Sequence, residues 1–215
     1  MKTTDEYILE HTSPEPPLLH ELWRETNLRT VHGRMASGHL QGRLLKMLVA
    51  MAKPRRILEV GTFSGYSALA MAEGLDDGGE IYTFEVNDEM EDFARQWMER
   101  SPQAHRIHLV IGDAATEAPR LGLKFDMIFI DGDKRTYLET YEALLPLLRE
   151  GGFLLADNTL WDGHVVDPAY DNDAQTIGIR RFNDHLAQDP RVEQVILPLR
   201  DGLTLVRKLP DCAAI

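Results

Sequence analysis

Apolar positions along the chain follow two rhythms. Pro14, Pro16 and Pro17 interrupt a short polar opening segment, after which Leu18, Leu19, Leu22 and Trp23 begin a helical stripe. Leu40, Leu44, Leu45, Leu48 and Val49 mark a second helix, closed by Pro54. From there short β-rich runs alternate with helical ones. The runs Arg56 to Val60, Ile81 to Glu85, Ile107 to Ile111, Asp126 to Ile130 and Phe153 to Ala156 predict strands. Between them, Tyr66 to Glu73, Glu89 to Glu99, Ala114 to Leu121 and Tyr137 to Leu148 predict helices. Runs such as Ile128-Phe129-Ile130 do not alternate, as expected of strands covered on both faces.

After Asp157 the rhythm changes. An irregular stretch from Thr159 to Asp173 precedes a helix from Thr176 to Ala187, with Ile179, Phe182, Asn183 and Leu186 on one stripe. Val192 to Leu197 and Leu203 to Val206 then read as a hairpin around Asp201-Gly202. The pattern predicts one α/β domain, with a helical extension over 1–52 and a core over 53–215. Its sheet has seven strands, five parallel and a C-terminal antiparallel hairpin, with helices on both faces.

Charge narrows the function. The chain carries 23 Lys and Arg against 35 Asp and Glu, a net charge of −12. Such a surface repels phosphate backbones and anionic lipid, and basic residues occur in pairs at most, as in Arg55-Arg56 and Arg180-Arg181. No nucleic-acid or membrane role is expected. The single cysteine, Cys212, excludes an internal disulfide and fits a reducing, cytoplasmic setting. The opening residues, Met1 to Glu10, carry acids and lack the apolar core of a secretory signal, and no apolar run is long enough to span a bilayer.

Candidate chemistry sits where predicted strands end, the place where open α/β sheets bind ligands. The first exit, Glu59-Val60-Gly61-Thr62-Phe63-Ser64-Gly65-Tyr66-Ser67, is a glycine turn. Its G-x-x-x-G spacing is neither a pyrophosphate loop nor a P-loop, which points to a nucleotide lacking a diphosphate, or to a plain strand–helix turn. Glu85 follows about 20 residues later, where a carboxylate can accept both hydroxyls of a ribose. Asp113-Ala114 at the third exit suits an adenine edge, or a simple helix cap. Asp131 at the fourth exit and Asp157-Asn158 at the fifth supply oxygen ligands only, a set suited to Mg²⁺, Mn²⁺ or Ca²⁺. The competing reading is an Asx turn at Asp157-Asn158 and a helix cap at Asp131. Near a bound cation, Lys134 would lose its proton more easily, as a general base must. The eight histidines show no metal spacing, and no nucleophile elbow is present.

Three stretches, Glu59 to Ser67, Phe129-Ile130-Asp131-Gly132-Asp133-Lys134 and Asp157-Asn158-Thr159-Leu160-Trp161, resemble the cation-dependent S-adenosylmethionine O-methyltransferases, which include the caffeoyl-CoA and catechol O-methyltransferases. The resemblance runs from about Met35 to Lys208 and implies a Rossmann-like fold, an S-adenosylmethionine cofactor, a divalent cation and a homodimer. It implies cofactor contacts at Ser37, Glu59, Gly61, Thr62, Ser67, Glu85, Asp113, Ala114 and Asp131. It also implies metal ligation by Asp131, Asp157 and Asn158, with Lys134 and Asp131 catalytic. The chain departs from the family at Gly132, where alanine is common, and in the segment before Gln41-Gly42. The loop from Asp162 to Asp173 is its own.

The implied reaction methylates a hydroxyl of a small aromatic vicinal diol. The cation lowers the hydroxyl pKa, Lys134 accepts the proton, and the oxyanion attacks the sulfonium methyl in line. Trp161 offers an aromatic wall for a flat acceptor, or a core residue that pins the loop. No lysine-rich pocket for coenzyme A is evident, which favours a free catechol-like acceptor. The alternatives are a catalytically silent cofactor-binding protein and a Mg²⁺-dependent hydrolase. The intact Asp131, Lys134, Asp157 and Asn158 speak against the first, and Glu85 has no purpose in the second.

Overall fold

The computed structural model describes residues 2–210, apart from the Arg34 side chain, so Cys212 lies outside the described residues. By backbone contacts the chain forms two compact units, one of Met1–Arg55 with Thr62–Ile111 and one of Arg56–Gly61 with Gly112–Ile215.

In the first unit, α1 (Thr4–Glu10) opens on a capping box between Thr3 and Glu6. It buries no residue, so no apolar stripe announces it and only the Thr-x-x-Glu signature marks it in the sequence. Helix α2 (Pro17–Arg29) starts on a proline, whose fixed φ and missing N–H suit a first turn. Its Leu19 and Leu22 pack with Tyr66, Leu69, Trp97 and Met98. Helix α3 (Gly38–Ala52) ends at Lys53 in a left-handed conformation just before Pro54. Helix α4 (Tyr66–Ala72) is buried along its whole length. Strand β2 (Glu80–Glu85) pairs in parallel with β3 (Ile107–Ile111), and α5 (Glu91–Met98) buries Ala94, Trp97 and Met98.

In the second unit, β1 (Arg56–Val60), β4 (Phe125–Ile130) and β5 (Leu148–Asp157) pair in parallel. Strand β7 (Leu203–Lys208) runs antiparallel to β5, and β6 (Val192–Leu197) antiparallel to β7. The sheet order is β3-β2-β1-β4-β5-β7-β6, the seven-stranded mixed sheet expected. Ile128, Phe129 and Ile130 are fully buried, each worth roughly 1.5–3 kcal/mol of apolar burial. Helices α6 (Ala114–Glu117), α7 (Tyr137–Leu144) and α8 (Ala174–Leu186) complete the unit.

Prolines account for two of the helices that differ from expectation. The predicted helix Ala114 to Leu121 is one α-turn followed by a 3-10 turn carrying Pro119, and α7 stops at Leu144 ahead of a 3-10 turn carrying Pro146. Strand β5 begins at Leu148, five residues before Phe153, where the sequence placed its start. Gly151 at φ 73° and a register shift opposite Phe125 and Met127 break the apolar pattern there. The stretch from Thr159 to Asp173 contains 3-10 turns at Trp161–Val166 and Pro168–Tyr170.

Candidate functional site

The register of the second unit decides what lies at the strand ends. Val60 is opposite Ile130, and Ile130 opposite Ala156, so Gly61, Asp131 and Asp157 follow in one row. Asp131 donates its N–H to the Val60 carbonyl at 2.9 Å. A Cβ on Gly61 would stand 2.2 Å from the Asp131 carbonyl oxygen, and φ there is 92°, so only glycine fits. Glu59 is wholly buried in β1.

Asp157 is buried, and its Oδ1 accepts the Asn158 N–H at 2.9 Å. Asn158 adopts φ 58°, a left-handed conformation that asparagine tolerates. Its Nδ2 donates to Asp201 Oδ2 at 3.4 Å, which leaves the amide oxygen as the atom suited to a cation. Burial, then the neighbouring Asp162 carboxyl, push Asp201 above the ordinary carboxylate range.

Lys134 is buried and donates to Asp131 Oδ1 at 2.7 Å and to the Tyr137 hydroxyl at 2.8 Å. That hydroxyl also lies 3.2 Å from the Ile130 carbonyl and 2.9 Å from the Asp157 carbonyl. Tyr137 therefore ties the lysine to both acidic strand exits. Burial opposes the charge on Lys134, but the attraction of Asp131 and the hydrogen bonds to Asp131 and Tyr137 outweigh it and hold the ammonium above its ordinary pKa. Asp131 is thus the group whose charge a cation would have to offset for Lys134 to serve as a base. Gly178 of α8 passes beneath this turn, where a Cβ would meet the Lys134 carbonyl oxygen at 2.3 Å. The Lys134 Nζ lies 6.0 Å from the Trp161 ring centroid.

Further cofactor candidates lie in the first unit. Glu85 is buried and accepts the Phe63 N–H on Oε2 at 2.7 Å and the Asn87 N–H on Oε1 at 2.8 Å. Thr62 donates its N–H to the Phe84 carbonyl at 3.1 Å, and its hydroxyl meets that of Thr83 at 2.5 Å. Gly65, at φ 84°, is the N-cap of α4, which places Ser67 in the first turn. Ser37 holds the N-cap position of α3 and is buried. In the second unit, Asp113 caps α6 by accepting from the Ala115 N–H and the Thr116 hydroxyl, and Ala114 is buried behind it.

Sequence reasoning missed Tyr137, Gly178 and Asp201. The Lys-x-x-Tyr spacing and a glycine inside a helical stripe were the available signals for the first two. It also missed a second polar cluster. Glu142, His185 and Asp189 bring ligand atoms within 4.8 Å of one another, although the histidines show no metal spacing along the chain. Arg191 already supplies the positive charge there, through Nη2 at 2.7 Å from both Glu142 Oε1 and Asp189 Oδ2.

Comparison with known proteins agrees with the sheet. The O-methyltransferase family model matches residues 9–209. The chain belongs to the O-methyltransferase family. It is 34% identical to tricin synthase 1 of Oryza sativa subsp. japonica, over 94% of this chain and 86% of that protein. It is also 34% identical to caffeoyl-CoA O-methyltransferase 2 of Petunia hybrida, over 95% of this chain and 89% of that protein. Among solved structures, the SAH-bound methyltransferase PaMTH1 of Podospora anserina superposes with a TM-score of 0.88 at 29% identity, covering 98% of each chain. An O-methyltransferase from Bacillus cereus in complex with SAH gives 0.87 at 31% identity, over 95% of this chain and 96% of that one. The family membership makes this chain an S-adenosylmethionine-dependent O-methyltransferase. No helix among its described residues is long and apolar enough to cross a membrane.

Proposed function

We propose that this O-methyltransferase requires a divalent cation, held by Asp131, Asp157 and Asn158, and methylates a hydroxyl of a small aromatic vicinal diol. The observation that carries the reading is the row of strand ends, with buried Asp157 beside Asp131 and a left-handed Asn158 behind it. The donor set fits a hard cation, because every candidate ligand atom is oxygen. Asp131 gives only one oxygen to Lys134, and the Asn158 amide nitrogen is turned to Asp201.

The fit to S-adenosylmethionine rests on two features. Gly61 has no room for a Cβ against the Asp131 carbonyl, which holds the glycine turn at the end of β1 in one conformation beside Asp131. Glu85 has one lone pair on each oxygen committed to a backbone N–H, which fixes the carboxylate and leaves the others for the two hydroxyls of a ribose. Glu59, Thr62, Ser67, Ser37, Asp113 and Ala114 complete the proposed contacts. The proposal includes a homodimer and a cytoplasmic setting, as the family resemblance and the lone cysteine suggest.

S-adenosylmethionine supplies the electrophilic methyl group, and the cation, Mg²⁺ first, supplies Lewis acidity toward the acceptor hydroxyl. The protein's own residues do the rest. Asp131 holds Lys134, and Tyr137 fixes the lysine from the other side, so its Nζ has one position. The more of the Asp131 charge is neutralised, the weaker its hold on the lysine proton, and the nearer Lys134 comes to serving as base. The Trp161 ring, 6.0 Å from Lys134 Nζ, would offer its face to a flat acceptor.

The test is transfer of labelled methyl from S-adenosylmethionine to a panel of aromatic vicinal diols, with Mg²⁺ and with chelator. Transfer that stops on chelation, and falls at least about 100-fold in Asp157→Ala, is the expected result. Transfer that survives both removes the metal from the account.

A further inference from the structure

The loop that follows Trp161 has a construction of its own. Trp161, Asp162 and Gly163 are consecutive left-handed residues, at φ 48°, 51° and 81°. Neither 3-10 turn of this loop contains a fully buried residue, and its apolar side chains Trp161, Val165 and Tyr170 are at most half-buried. Its beginning is pinned from the hairpin turn: the N–H groups of Leu160 and Trp161 donate to the Asp201 carbonyl at 2.7 and 3.1 Å. Its remainder is gathered by one side chain of α8. Arg180 donates from Nε to the Val165 carbonyl at 3.0 Å, from Nη2 to the carbonyls of His164 and Asp167 at 3.0 Å each, and from Nη1 to Asp171 Oδ1 at 2.6 Å.

Inside that clasp the aromatic side chains form a platform. The His164 ring stacks on Tyr170 at 3.5 Å between centroids and 8° between planes. The Trp161 ring meets His164 edge-on at 6.5 Å and 89°. The platform is thus continuous with the ring that faces Lys134.

We infer that Arg180 is the positioning residue for the acceptor: by holding the loop backbone it fixes Trp161 against the reacting end and sets how tightly a flat aromatic acceptor is held. This rests on the methyl-transfer reading above. Arg180 touches no reacting atom, and its effect passes through the loop. The role calls for arginine in particular, because four donors in a planar fork reach three carbonyls and a carboxylate. A lysine keeps the charge but has only three donors, on a single nitrogen. Loosening the loop leaves the proposed cofactor residues Glu59, Gly61 and Glu85 untouched, so cofactor use should not change.

The experiment compares wild type, Arg180→Ala, Arg180→Lys and, as control, Arg181→Ala, whose residue pairs with the exposed Glu139. Each is assayed for KM toward the acceptor and toward S-adenosylmethionine, and for amide hydrogen exchange across 159–171. In Arg180→Ala, the acceptor KM should rise about tenfold or more while the cofactor KM stays within about twofold. Exchange should quicken over 159–171 alone. Arg180→Lys should fall between Arg180→Ala and wild type, and Arg181→Ala should match wild type. Equal changes in both KM values, an unchanged acceptor KM, or unchanged exchange in the loop would overturn the inference. If Arg180→Ala fails to fold, Arg180→Lys decides, and a wild-type-like acceptor KM there overturns the inference too. A wild type that methylates no diol at all defeats the diol-acceptor reading instead, and unchanged exchange over 159–171 in Arg180→Ala then still overturns the clasp.

Discussion

The second unit holds two clusters made of the same parts: acids, a basic side chain and a tyrosine. At the strand exits, Lys134 engages one oxygen of Asp131 and is itself held by Tyr137. At the α7–α8 face, Arg191 engages both oxygens of Asp189 through Nε and Nη2, Tyr141 adds a hydrogen bond to the same carboxylate, and the same Nη2 also donates to Glu142. The hydrogen bonds from Arg191 hold the Asp189 carboxyl well below the usual range. His185 completes this cluster, 2.8 Å from Glu142. The difference lies in saturation. A carboxylate filled by a guanidinium fork has no need of a further cation and ties helices together. A carboxylate that shares one oxygen with a lysine, next to a second buried acid and an asparagine, keeps the capacity to bind one.

Breaking the saturated cluster should cost stability and spare chemistry. Arg191→Met leaves the nearly buried Asp189 without its partner; because Arg191 is itself about half exposed, we expect a loss of about 2 kcal/mol in denaturant unfolding. Methyl transfer should stay within about twofold of wild type. The sign with pH is fixed. A carboxyl whose folded pKa is depressed contributes fully above its unfolded value, near 3.9, and loses that contribution as pH falls toward the folded value. The stability gap between wild type and Arg191→Met should therefore be full at pH 7 and narrow below about pH 4. A gap that widens in acid contradicts the assignment.

The open cluster should show the reverse. Tyr137→Phe keeps the ring and removes the hydroxyl that links Lys134 to the Asp157 carbonyl. A stability loss of about 1 kcal/mol is expected, with a fall in kcat of about tenfold. A stability loss with unaltered kcat would make Tyr137 a packing residue only.

The order of strands and helices was legible because apolar runs and punctuating glycines and prolines are local signals. Pairing register followed only in part: β5 starts early where Gly151 and Gly152 carry no side-chain pattern to read. At the site, Gly61, Asp131 and Asp157 were legible because strand ends are where an α/β sheet presents ligands. Tyr137 was not, since its partners are carbonyls from two strands that only the fold brings together. The same holds for His185 and Glu142, which come from different helices, whereas Asp189 lies only four residues beyond His185.

The most direct test is calorimetric titration of the protein with Mn²⁺, in wild type, Asp157→Ala and His185→Ala. The account expects binding in wild type and in His185→Ala, and none in Asp157→Ala. Binding that survives in Asp157→Ala and disappears in His185→Ala would place the cation at the α7–α8 face and contradict the claim that the strand-end acids hold it.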